Sequence, residues 1–323
     1  MFDNPTFRAM LWQAVVFAVL AVSLWVLVLN LNTNLTQRGI DFGYGFLLGP
    51  AGFDISERAI PYDADSSYLR AFLVGFLNTL RVAVLGIVLA SLAGLVVAVG
   101  SLSPNPLLSW LCRQFVEFVR NVPLLLQLIF WYLTLGVVLP STENPSEILP
   151  HVFLSKNGLQ FPWFIEGAFP EIEHPEMGAF GLVGGAALSP EFIALLLGLS
   201  VYTSVFIAEI IRAGVLAVPK GQSEAAAALG FTRWQQLKLI VLPQAFRVII
   251  PPTTNQYLNL TKNSSLAIAI GYPDLVSIAT TTLNQSGRAV EAISIIMAVY
   301  LGLSLLTSYL MNRFERATQL KER

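Results

Sequence analysis

Glu117, Glu191, Glu209, Arg212, Lys262, Asp274 and Glu291 stand within or beside long apolar runs of the sequence. An ionisable group in such surroundings is costly unless paired, so each is a candidate for function. Lys262 has the strongest claim, because Asn255, Asn259, Thr261, Asn263, Ser264 and Ser265 place polar groups around it along the chain. A partly desolvated ammonium there could hold a carboxylate; the competing reading is that Lys262 only snorkels or pairs for packing. Glu209 and Arg212, three apart on one helical face, read as a structural pair, with a gate as the alternative. His151 and His174 lie 23 residues apart without a ligand pattern and read as ordinary surface residues. Cys112 is the single cysteine, which excludes an intrachain disulfide or a cysteine-rich metal site. No Gly-x-x-x-x-Gly-Lys-Ser/Thr phosphate loop occurs, so the chain has no usual route to ATP hydrolysis. These residues suit passage of a solute, not catalysis.

The elements that must position them are membrane helices. Of 323 residues, 55% are hydrophobic and only 12% charged, against about 25% charged in a soluble domain. The apolar residues come in blocks near the length of about 20 that crosses a bilayer. Such blocks occupy residues 11–31, 72–100, 115–138, 192–211 and 290–310, the first read as an uncleaved span. A further block at 240–257, interrupted by Pro243, Pro251 and Pro252 and continued by 266–278, is expected to be a broken crossing, for six in all. The apolar run 42–48 is too short to span and reads as interfacial or packed on the bundle.

Residues 141–190 form an acidic insertion with both histidines and an aromatic cluster of Phe161, Trp163, Phe164 and Phe169, a mixture that suits the membrane surface. With the N-terminus inside, Arg8, Arg113, Arg120, Arg212, Lys220, Arg233, Lys238, Arg247, Arg313, Arg316, Lys321 and Arg323 face the cytoplasm, 12 of the 19 basic residues. This bias puts both termini and the 212–238 loop in the cytoplasm. The net charge of −1 removes the electrostatic case for nucleic acid.

That loop carries the densest local grammar. Ser223 is placed to cap a helix in which Glu224 meets the positive dipole end, Ala225, Ala226, Ala227 and Ala228 favour helix, and Gly230 lets the chain leave. Thr232 and Gln235 then have the spacing of a capping box for a second helix bearing Trp234, Leu237 and Ile240. Helix grammar alone leaves an ordinary connecting loop as an open alternative.

Glu224, Ala225 and Ala226, then Gly230, then nine residues before Ile240, Val241, Leu242 and Pro243, resemble the signature loop of ABC importer permeases. The surroundings resemble the branch for polar and general L-amino acids: Glu209, Arg212, Gly214, Pro219, Gly221 and Gln222 before it, and Gln244, Ala245, Arg247, Asn255, Lys262, Ser265 and Leu266 after it. The run from Arg120 to Gln127 looks like a further element of that branch, from which Asn121 and Val122 depart. The likeness covers residues 69–311.

It implies an all-α, polytopic helical bundle of the type I ABC importer permease kind, with a five-helix core and one N-terminal membrane helix. Residues 1–68 would hold that helix and a periplasmic segment; 69–323 would be the transport domain, with insertion 141–190 and coupling loop 212–243. Gly221, Glu224, Ala225, Ala226, Gly230, Ile240, Leu242 and Pro243 would serve coupling, and Glu209, Arg212, Asn255, Lys262 and Ser265 the path or gate. The implied partners are a dimer of ATPase subunits that carry the ATP and Mg, a second permease (a paralogue or a second copy), a periplasmic binding protein and an amino acid. This chain itself would bind no cofactor. A channel or secondary transporter would need no docking loop, a membrane enzyme lacks a metal or nucleophile pattern, and a purely structural subunit leaves the polar residues around Lys262 unexplained.

Overall fold

The computed structural model describes residues 5–37, 42–164, 171–178 and 181–318. Arg38, Phe169, Lys321 and Arg323 lie outside them. Helix α1 (Pro5–Gln37) contains the apolar run Met10–Asn30, none of it buried against the rest of the chain. Tyr44–Leu48 forms a short 3-10 turn packed on the bundle: Gly43 N–H donates to Glu291 at 3.0 Å, and Tyr44 shares a hydrogen bond with Ser294 at 2.8 Å. Ser67 caps α2 (Tyr68–Ser101) by accepting from Arg70 N–H, and Asn105 caps α3 (Pro106–Asn121).

The block 115–138 is not one continuous helix. It breaks at Pro123, whose ring forces Val122 to extended φ −97° and ψ 127°. The chain turns by 103° between α3 and α4 (Leu124–Val138). At 15 residues, α4 is about 22 Å long.

The insertion contributes strands that the sequence did not announce: β1 (Ser146–Leu149), β2 (Val152–Ser155), β3 (Gly158–Phe161), β4 (Trp163–Phe164), β5 (Ile172–Glu173), β6 (Glu176–Gly178), β7 (Gly181–Val183) and β8 (Ala186–Leu188). They pair antiparallel as one sheet in the order β1-β2-β3-β8 and two small ribbons, β4-β5 and β6-β7. The fold brings His151 and His174 together, ring centroids 4.5 Å apart.

Ser189 caps α5 (Pro190–Leu216), which is followed by α6 (Lys220–Ala228), α7 (Arg233–Gln236), a π-helical turn at Leu237–Val241, and α8 (Leu242–Asn263). The expected interruption at Pro251 and Pro252 does not occur; α8 runs through both. The break comes later, where a 3-10 segment (Ser264–Ile270) ends at left-handed Gly271 before α9 (Leu275–Ser286) and α10 (Ala289–Thr318). Four described helices are long and apolar enough to cross a membrane, or up to six spans if each of two bent pairs counts as one.

The membrane bundle is all-α, as expected. Its centre is α2 against α5, where a Cβ on Gly94 would lie 2.8 Å from the Ser204 carbonyl. Leu128, Phe192, Leu195, Leu199, Leu260 and Tyr272 fill the adjoining core.

Two polar junctions fasten the extracore segments to this bundle. The buried Asn78 amide donates to the carbonyls of Glu57 at 2.8 Å and Pro273 at 2.9 Å, while the Asn78 carbonyl accepts from Tyr272 at 3.3 Å. Glu57, 7% exposed, accepts from the Ser189 hydroxyl and stands 3.4 Å from Arg81. Burial pushes the Glu57 carboxyl above its ordinary value, against the opposing pull of Ser189 and Arg81.

Asn78→Ala orphans two carbonyls, at about 1–3 kcal/mol for each group left unpaired. A lowered thermal midpoint of the detergent-solubilised chain is the expected reading, and an unchanged one would show that these bonds do not hold the segments. For Glu57, the folded chain grips the proton more tightly than the unfolded chain does. The resulting stability is full below 4.5, the ordinary value, and is lost as pH rises through the raised one. Glu57→Gln should flatten this dependence in melting curves from about pH 4 to about pH 7; a slope equal to that of the unsubstituted chain would contradict it.

Candidate functional site

The 212–243 region folds as two short helices joined by a closed turn. Pro219, φ −58° and ψ 130°, is the residue before α6, and the carbonyl of Pro219 accepts from Gln222 N–H at 3.0 Å. The helix therefore begins at Lys220, three residues before the expected cap. Ser223 and Glu224 lie inside it, and no side chain caps this end. The other end matches expectation. Gly230 N–H bonds to Ala227 at 2.9 Å and Phe231 N–H to Ala226 at 3.0 Å, the two bonds of a Schellman motif, with Gly230 at φ +84°. Only a residue without Cβ takes that conformation at little cost. Thr232 and Gln235 then form the complete capping box of α7.

Side-chain exposure divides the loop residues. Ala226 is buried and faces its own chain, whereas Gly221, Glu224, Ala225, Ala227 and Ala228 are exposed. Leu229 and Trp234 are 77% and 66% exposed, and Phe231 stands between them. Leu229 and Phe231 escaped the sequence reading; two apolar residues flanking the glycine of a polar loop were the available signal. Beside them a cavity of about 480 Å³ is lined by Leu216, Lys220, Glu224, Arg233 and Gln236. Ile240, Leu242 and Pro243 are half-buried behind the loop. Pro243 cannot donate to Leu239, and the chain takes up the missing bond in the π turn, with Leu242 N–H reaching Leu237.

A second group of candidates lies on α8. Asn255, Asn259 and Lys262 are all exposed, and their spacing of four and three residues sets them in one stripe along the helix. Pro251, one turn earlier, is exposed on the same side, and Pro252 has no N–H to return to the carbonyl of Val248. The side chain of Lys262 makes no hydrogen bond or ion pair among the described residues. Thr261 and Ser264 do not join this face. They are buried and bond back to the carbonyls of Tyr257 and Thr261. Ser265 is half-buried at the edge and donates to the Lys262 carbonyl at 2.8 Å.

Glu209 and Arg212 form a two-pronged pair, Nε to Oε2 at 2.8 Å and Nη2 to Oε1 at 2.6 Å. The fork closes on itself within one turn of α5, and Arg120 sits over the Phe206 ring 5.5 Å away. Other candidates have local partners. Asp274 caps α9, Glu291 binds the 42–48 turn and Arg288, Glu191 accepts from Tyr132, and Glu117 is exposed on α3. No group of three or more His, Cys, Asp or Glu is arranged to hold a metal ion among the described residues.

The family model described as binding-protein-dependent transport system inner membrane component matches residues 86–319. The chain is 41% identical to the general L-amino acid transport system permease protein AapQ of Rhizobium johnstonii, over 99% of this chain and 94% of that protein. It is 42% identical to the putative amino-acid ABC transporter permease protein YhdX of Escherichia coli, over 100% and 97%. Among solved structures, an amino acid ABC transporter crystallised with histidines aligns with a TM-score of 0.57 at 26% identity, covering 77% of this chain and 95% of that one. The MetNI methionine ABC transporter in an inward-facing form aligns at 0.55 and 18% identity over 78% and 98%, a likeness of fold alone.

Proposed function

The chain belongs to the family of binding-protein-dependent transport system inner membrane components, and from that premise we propose that it is the permease subunit of an ATP-driven amino acid importer. Similarity to AapQ, a general L-amino acid permease protein, and to the putative amino-acid permease protein YhdX supports the cargo class. The observation that carries the coupling role is the α6–α7 unit, a short helix locked at both ends of its turn that offers Glu224, Ala225, Ala227 and Leu229 outward. Small side chains let such a helix enter a groove closely, and Glu224 supplies an acceptor for a basic or amide group there.

The groove belongs to a separate ATPase subunit, which carries the ATP and Mg and works as a dimer. Closure of that dimer pushes α6–α7, and α5 and α8, which flank the loop in sequence and pack on each other, carry the displacement into the bundle. The bundle then switches between two packings, outward-facing and inward-facing. A second permease, paralogous or identical, faces the α8 stripe and completes the path, because Asn255, Asn259 and Lys262 are costly against lipid and useful against a polar solute. A periplasmic binding protein delivers the amino acid.

This reading gives one N-terminal crossing plus a five-helix core, both termini and α6–α7 in the cytoplasm, and the 141–190 insertion outside. Residues 1–68 form the N-terminal unit and 69–323 the transport domain. The self-contained fork of Glu209 and Arg212 favours a structural brace over a gate.

Gly230→Val places a β-branched residue in the left-handed region, at about 1–2 kcal/mol, and Glu224→Lys reverses the offered charge. Both variants are expected to insert in the membrane yet lose binding-protein-stimulated ATP hydrolysis and uptake together. Uptake lost with stimulated hydrolysis intact would mean that the loop is not the transmission point, and full activity in both would refute the coupling role. Lys262→Met keeps much of the length without the charge. Uptake should fall while the complex still assembles, and unchanged kinetics across acidic and neutral amino acids would make Lys262 a packing residue.

A further inference from the structure

A cavity of about 770 Å³ opens between the 58–61 segment, α2 and the strands of the insertion. Its walls carry the guanidinium groups of Arg58 and Arg81, the rings of Phe161, Trp163 and Phe164, and the carboxylate of Glu173. None of its lining residues belongs to α8 or to the α6–α7 unit. It adjoins the start of α5, whereas α6 follows the end of that 27-residue helix, about 40 Å of rise away. The cavity is therefore separate from both candidate sites described above.

The two arginines are held but not used up. Arg81 stands 3.4 Å from a Glu57 oxygen and 5.1 Å from the centre of the Phe192 ring, yet it makes no hydrogen bond among the described residues. Its guanidinium keeps its donors for a ligand. Arg58 spends one nitrogen, Nη1, on Asp54 at 3.3 Å and on the Tyr62 carbonyl at 2.5 Å, which fixes the group while Nε and Nη2 make no hydrogen bond among the described residues. Pairing of β4 with β5 sets Trp163 opposite Glu173, so an aromatic face and a carboxylate share one wall. Trp163 is 54% and Phe164 45% exposed, and Trp163 stands edge-on to the rings of both Phe161 and Phe164.

We propose that this cavity is a second binding site for a free amino acid in its zwitterionic form. The α-carboxylate lies on Arg58 and Arg81, the ammonium on Glu173, and the side chain against the rings. Charge decides the class. The walls carry two guanidinium groups and one carboxylate, so a dicarboxylate would set its second carboxylate beside Glu173, and an amine without a carboxylate would offer the two guanidinium groups no anion. A zwitterion leaves the local balance unchanged. Ligand pockets of about 300–1,000 Å³ hold drug-sized molecules, so this volume exceeds what one amino acid fills and tolerates side chains of many sizes. The proposal deepens the reading of the chain as an amino acid permease, on which its ligand class rests, by adding a holding site off the α8 stripe.

The test is equilibrium binding of L-phenylalanine, hydrocinnamate and phenethylamine to the full chain in lipid nanodiscs, followed by calorimetry. The three probes share a ring and differ in the ammonium and carboxylate. Saturable binding of phenylalanine is expected, with both analogues weaker by about tenfold or more. Arg58→Gln and Trp163→Ala, both at exposed side chains outside the buried core, should each weaken phenylalanine by a similar factor. Absence of saturable phenylalanine binding, equal binding of hydrocinnamate, or variants that bind as the unsubstituted chain does would each overturn the site. Uptake by the assembled importer separates the two readings. Amino acid import without cavity binding sinks this inference alone, and cavity binding sensitive to Arg58→Gln without any amino acid import sinks the cargo assignment alone.

Discussion

The Asn78 side-chain amide gives one proton to the Glu57 carbonyl and the other to the Pro273 carbonyl, while its backbone oxygen receives the Tyr272 hydroxyl. Inside a bilayer no water can replace any of these partners, so a polar group that enters the bundle must find a mate within the protein. One fully buried residue of α2 thereby ties down the segment preceding that helix and the broken crossing that follows α8. The neighbouring Thr79 hydroxyl accepts from Leu275 N–H at 3.0 Å, which satisfies one of the open donors at the start of α9. The side-chain oxygen of Asn78 has no partner among the described residues, a cost accepted for the three bonds around it.

Around that fixed point the long helices divide the work. Helix α5 is the common wall, since α2, α4 and α8 all pack against it. Close approach is what makes the wall stiff: a Cβ on Gly214 would overlap Ile249 of α8, and one on Gly198 would overlap Leu128 of α4. A displacement applied at α6 meets α5 and α8 as one packed unit, because neither can slide past the other without opening a void. Interiors packed at such density move between discrete arrangements instead of deforming smoothly.

Local grammar was legible in the residues. Thr232 and Gln235 define their capping box within four positions, and Gly230 ends its helix where a left-handed residue is required. Proline was legible as a residue but not as an outcome. Pro123 breaks an apolar run that hydropathy alone makes continuous, whereas Pro251 and Pro252 sit in an unbroken helix whose Ile249 and Ile250 are buried against neighbours. Packing decided between the two cases, and packing is not written in the window around a proline. The same limit hid the α6 start, the strands of the insertion and the contact between His151 and His174. It also hid the partnership of Asn78 with Pro273, which lie 195 residues apart. The α8 stripe was half legible: Asn255 and Lys262 stand on one exposed face, but Thr261 and Ser264 turn inward to the helix backbone.

Helix α1 closes its interior backbone bonds within itself, carries only apolar side chains from Ala14 to Leu29 apart from Ser23, and near its end Thr33 donates to the Leu29 carbonyl and Asn34 to that of Asn30. It needs no neighbour to be stable in lipid. Helix α8 is the opposite case, with amides and an ammonium along one side that are tolerable only once other helices are present. During synthesis the chain therefore offers the membrane a self-sufficient anchor first and its dependent helix late, after α2 and α5 have been made. The order of the elements along the polypeptide is itself an assembly schedule.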